Sequence, residues 1–110
     1  MRALIHMIEN AVRAEYSQAS AMFGSKNNSL HESYGIIKEE FEEAKNECSA
    51  FDSWFNSFWD MIKSNNQSDI PQTLKNMQTC AELAAAEWIQ VAAMCYKAKL
   101  SMEDGGDADT

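Results

Sequence analysis

Five residues near the middle of the chain, Glu39-Glu40-Phe41-Glu42-Glu43, and Glu47 one turn further on, hold most of its potential chemistry. On a helix Glu40, Glu43 and Glu47 share one face, because residues three and four apart are neighbours. Like charges so placed repel, and more strongly when partly withdrawn from water. A divalent cation relieves that repulsion. Mg²⁺ is a hard ion that takes one or a few carboxylates, keeps several waters and accepts phosphate oxygens at its remaining positions, and Mn²⁺ favours similar ligands. The stripe therefore points to metal-assisted phosphate chemistry. The same spacing also describes a solvated acidic helix face, with Lys38 and Lys45 nearby to offset it.

A second polar pair stands in the most apolar part of the chain. Glu87-Trp88-Ile89-Gln90 lies within Leu83 to Met94, where an acid amid Ala, Trp, Ile and Val asks for a partner. If the helices bearing the two motifs pack antiparallel, Glu40, Glu43 and Glu87 form a three-carboxylate cup with Gln90 as its neutral fourth member. The plainer alternative is that Glu87 flanks the core.

The elements that must position these groups are helical. The chain has 110 residues, 45% of them apolar, with five Phe, three Trp and three Tyr, enough for one core. Four Gly and one Pro leave few turns for a sheet. The fold class is all-α, and four helices are expected. The first covers about Arg2 to Phe23, stopped by Gly24 and a polar loop. Ser29-Leu30-His31-Glu32 matches a capping box and starts the second, which runs to about Cys48 with Ile37, Phe41, Ala44 and Cys48 as its apolar stripe. Ser49 to Lys63, dense in aromatics, reads as a short third helix. Ser68 or Asp69 caps the fourth, with Pro71 in its first turn. That helix continues to about Met102, its buried stripe being Leu74, Met77, Ala81, Ala84, Trp88, Val91 and Cys95. One domain is expected over residues 1–102 and a disordered acidic tail over residues 103–110.

Charge and composition set limits on partners. A net charge of −8 with no basic cluster argues against nucleic acid. No segment has the apolar length of a signal peptide core or a membrane span, so no membrane partner is expected. Cys48, Cys80 and Cys95 form no CxxC pair and read as reduced, buried thiols, which suits a cytoplasmic location.

Residues 31–47 and 82–97 together resemble the MazG-like all-α nucleoside triphosphate pyrophosphohydrolases, in particular the small phage-type members. In that family one helix carries EExxE, here Glu39, Glu40 and Glu43, and a later helix carries ExxD. Here the second motif reads Glu87-x-x-Gln90, with Gln in place of Asp. The interval between Glu43 and Glu87 is longer than usual for the family. The resemblance implies a helical bundle completed by dimerisation, as a homodimer or homotetramer, and Mg²⁺ held by Glu40, Glu43 and Glu87 with Gln90 beside them. It implies hydrolysis of a nucleoside triphosphate, ribo or deoxy, to the monophosphate and pyrophosphate. Glu39 or Glu47 would orient or deprotonate the attacking water. Lys97, two turns beyond Gln90 on the same face, could reach a phosphate, or simply complement the helix C-terminus. Trp54 and Trp59, with Phe55 and Phe58, could stack on a base, although such clusters more often form core or interface. The competing expectation is a non-catalytic helical dimer on the same scaffold, binding a nucleotide or protein partner, and Gln90 is the residue that favours it.

Overall fold

The computed structural model describes residues 2–103, and these form three helices: α1 Arg2–Phe23, α2 Leu30–Lys63 and α3 Ile70–Glu103. Residues 104–110, most of the expected tail, lie outside the described residues, and Glu103 closes α3. The fold is all-α.

Local chemistry explains the ends. Gly24, at φ +93°, donates its N–H to the Ser20 carbonyl, a left-handed stop at the end of α1 that suits a residue without a Cβ. Ser29 is extended, and its hydroxyl accepts the Glu32 N–H at 3.0 Å. The Glu32 carboxylate reaches back one residue further than the capping-box reading expects, accepting the Asn28 N–H at 2.9 Å. The Asp69 carbonyl accepts the first bond of α3 from Thr73, while its carboxylate accepts from Asn66 in the loop.

One expected boundary is absent. The two helices anticipated on either side of Cys48-Ser49 are a single helix of 34 residues, so four helices become three. The aromatic segment changes the composition there, but no Gly or Pro interrupts it. Ser53 donates its hydroxyl to the Ser49 carbonyl one turn back, so these serines sit within the helix rather than capping a new one.

α2 and α3 form an antiparallel hairpin, as three pairings along it show: Met61 with Thr73, Phe41 with Trp88 and Ser33 with Ser101 through Asn27. The α1 helix packs on α3, where Tyr16 and Tyr96 meet edge to face at 5.0 Å. It covers only the end of the hairpin that carries the C-terminal half of α3. The far end is a two-helix arm, which accounts for a radius of gyration of 18.3 Å and a length of 61 Å. A compact chain of this size has a radius near 13 Å.

The buried row of α3 is Thr73, Met77, Cys80, Ala84, Glu87, Gln90, Met94, Lys97 and Ser101, all buried or half-buried. It is rotated from the apolar stripe read from the sequence: Leu74, Ala81, Trp88 and Cys95 are exposed, and only Met77, Ala84 and Val91 of that stripe face inward. On α2 the inner row is Ser33, Ile37, Glu40, Ala44, Glu47 and Phe51, while Phe41 and Cys48 are exposed. The expectation of buried thiols fails likewise, since Cys48 and Cys95 are exposed and Cys80 is half-buried. Hydropathy assigned the large apolar groups to the interior, but a two-helix seam with polar groups along it leaves many of them outside.

Ala44 and Ala93 have 0% exposure, so the backbones they carry are closely approached. Ala44→Leu is expected to lower stability by about 1–3 kcal/mol through overpacking. Urea denaturation measures this, and an unchanged midpoint would mean the seam is loose at Ala44.

Candidate metal centre

Antiparallel pairing of α2 with α3 brings the two acidic motifs together. Glu40 and Glu43, one turn apart on α2, face Glu87 on α3, and each supplies a carboxylate oxygen lying within 4.8 Å of the others. Oxygens on opposite sides of one cation are separated by twice the metal–oxygen distance, about 4.2 Å for Mg²⁺ and about 5 Å for Ca²⁺. The 4.8 Å limit lies inside the Ca²⁺ figure and exceeds the Mg²⁺ one, so one Mg²⁺ would draw the three side chains closer together.

The electrostatics are those of an uncompensated cluster. Burial, followed by the charges of Glu43, Glu87 and Glu39, raises the pKa of Glu40 above the ordinary carboxylate range. Glu87 is raised by burial first and then by Glu43 and Glu47. The Glu87 Oε2 atom is buried with no hydrogen-bond partner. The lysines that might have screened the stripe are engaged elsewhere: Lys38 lies 3.9 Å from Glu42, and the Lys45 ammonium sits over the Phe41 ring. Among the described residues no cation pairs with Glu40, Glu43, Glu47 or Glu87. An anionic set with Glu40 and Glu87 half-buried, Glu43 exposed and one oxygen unpartnered offers oxygen ligands of the kind a hard divalent ion takes.

No family model, curated protein or solved structure matches this chain.

The other sequence-derived candidates fall in three places. Glu47 is half-buried on α2, one turn beyond Glu43 and close enough to Glu87 to raise its pKa. Glu39, exposed, lines a cavity of about 380 Å³ between the three helices together with Glu40, Gln90, Lys97, Met94, Ile36, Ala19 and Phe23. Gln90 is not one of the three clustered carboxylate positions, and its Nε2 donates to Glu15 Oε2 at 2.9 Å. Trp54 and Trp59 lie on the arm, about 16 Å or more along α2 from Glu43 at 1.5 Å per residue. Phe55, Phe58, Trp59 and Ile62 form a shallow apolar groove there.

Sequence reading missed Glu15. It is 75 positions from Gln90, and nothing in the pattern of α1 marks that residue for a tertiary role.

The raised pKa values of Glu40 and Glu87 have a sign. Their protons are held more tightly in the folded chain than in the unfolded one, so the metal-free protein binds more protons when folded between the ordinary and the raised values. Its stability contribution is present at and below the ordinary carboxylate pKa and is lost as pH rises through the raised values. In EDTA the melting temperature should fall across this window, and millimolar Mg²⁺ should reverse the fall at neutral pH, because binding only to the folded state stabilises it. Melting curves from pH 4 to 8 test this, with Glu40→Gln/Glu87→Gln as the flattened control. A profile for the wild type that matches the double variant and ignores Mg²⁺ would remove the site.

Proposed function

We propose that the protein is a Mg²⁺-dependent nucleoside triphosphate pyrophosphohydrolase of MazG-like type, converting a ribo- or deoxynucleoside triphosphate to the monophosphate and pyrophosphate. The observation that carries the proposal is the convergence of Glu40, Glu43 and Glu87 from two helices, with carboxylate oxygens within 4.8 Å of one another. When bound there, Mg²⁺ or Mn²⁺ supplies Lewis-acid chemistry, lowering the pKa of water and neutralising phosphate charge. Glu39 and Glu47 flank the cluster on α2, and either takes the proton of the water that attacks the α-phosphorus as the bond to the β-phosphate oxygen breaks. Gln90 contributes a neutral oxygen beside the cluster.

The assembly belongs to the same reading. Two hairpins paired through their arms make a four-helix bundle, as a homodimer or within a homotetramer, and cover the large apolar groups that a single chain leaves in water. Trp54 and Trp59, remote from the cluster in their own chain, meet a nucleobase across that boundary. Exposed free thiols suit a reducing cytoplasm.

The purified chain is incubated with a panel of nucleoside and deoxynucleoside triphosphates and Mg²⁺, and pyrophosphate is assayed. Release that is lost in Glu40→Gln supports the enzyme. No release from any nucleotide at high protein concentration removes it. The second reading, a non-catalytic helical dimer that binds a nucleotide or protein partner, is favoured by Gln90, which stands where the family pattern has Asp and is bonded to Glu15.

A further inference from the structure

The cavity beside the carboxylates contains a group that the cluster does not explain. Lys97 lines it and is only 4% exposed, yet its ammonium lies within 4.0 Å of no carboxylate among the described residues. Glu39 and Glu40 line the same cavity and do not pair with it. The stem is buried while the ammonium keeps contact with the open volume of the cavity, where a cation without a counter-charge attracts an anion.

Three further features shape that volume. Helical side chains lean toward the N-terminus of their helix, so the Lys97 stem runs along α3 toward Gln90 and Glu87 rather than away from them. Glu15 can only accept a hydrogen bond, so it fixes the Gln90 amide with its NH₂ toward α1 and leaves Oε1 as the free acceptor. At about 380 Å³ the cavity is in the range of small-ligand pockets, about 300–1,000 Å³, and Ala19, Phe23, Ile36 and Met94 make much of its wall apolar. An apolar wall strengthens the attraction of the ammonium for an anion.

We propose that this cavity is a phosphate pocket, in which the Lys97 ammonium takes the anionic oxygens of one phosphate group while the same ligand reaches the Glu40 end of the cavity with another. The first half stands without a metal. The second rests on the proposed function, since only a bound cation makes the acidic end attractive to a phosphate.

Inorganic pyrophosphate is titrated into the full chain by calorimetry, in EDTA and in Mg²⁺, for the wild type, Lys97→Met and Lys97→Arg. Expected are saturable binding by the wild type in EDTA, affinity at least tenfold lower in Lys97→Met, and affinity largely kept in Lys97→Arg. The Mg²⁺-induced melting shift should survive in Lys97→Met, so that loss of the pocket and loss of the metal site are read separately. Absence of pyrophosphate binding by the wild type in EDTA overturns the proposal, as does equal affinity in Lys97→Met.

Discussion

Glu87→Gln should lower the proposed Mg²⁺-dependent pyrophosphate release about a hundredfold or more and, in the absence of metal, make the protein more stable. The two effects have opposite signs for one reason. Glu87 is half-buried, its Oε2 has no partner, and Glu43 and Glu47 add negative charge around it. In that state the Glu87 carboxylate costs the metal-free fold stability. Gln has the same shape and no charge, and its NH₂ can donate to the neighbouring carboxylates, so an unsatisfied buried acceptor, which costs about 1–3 kcal/mol, is replaced by a satisfied donor. Removal of one of three anionic ligands should lower the rate by about 10²-fold or more, comparable with the loss of a single group that stabilises transition-state charge. Rates come from pyrophosphate release and stability from urea melts in EDTA. Unchanged release would show that the cluster is not the reaction centre. Lower metal-free stability would show that Glu87 is a structural residue.

The second large effect concerns association. Phe55→Asp combined with Trp59→Asp is expected to convert the proposed assembly of at least two 12.4-kDa chains into monomers. Phe55 and Trp59 are 51% and 57% exposed, and Trp54, Ile62, Leu74 and Leu83 lie exposed on the same two-helix arm. Phe51 and Phe55 stack on one another at 5.9 Å, which stiffens the surface without covering it. A monomer rarely leaves so many large groups in water on one element. Aromatic side chains bury about 150–250 Å² each, so a handful of such anchors goes far toward the roughly 800 Å² per partner of a standard interface. Placing two charges at its centre should therefore weaken association by several kcal/mol, as loss of two interface hot spots does. Sedimentation equilibrium gives the mass. A wild-type chain that sediments at 12.4 kDa removes the interface and, with it, any role for Trp54 and Trp59 at a site in a second subunit.

Local features were the most legible in the sequence. The start of α2 at Ser29-Leu30, the end of α1 before Gly24 and the start of α3 just before Pro71 depend on groups within four residues of one another. The Cys48-Ser49 boundary was misread because a change of composition looks like a change of element. A helix stops only where a residue or cap breaks its bonding, and none does so there.

The candidate site divides along the same line. The spacing of Glu40, Glu43 and Glu47 on one helix, and of Glu87 and Gln90 on another, follows from the helical repeat and needs no coordinates. So does the all-α character, with few Gly and one Pro in 110 residues. Only the tertiary structure decided that Glu87 meets Glu40 and Glu43, that Glu15 holds Gln90, that Lys97 lines the cavity with no carboxylate against its ammonium, and that Trp88 and Leu74 face outward. Helical periodicity tells which residues share a face, and hydropathy then assigns the apolar face to the interior. In this hairpin the seam between two helices is lined by polar and acidic groups, so which face turns inward depends on the register of α2 against α3, a long-range property that no local window contains.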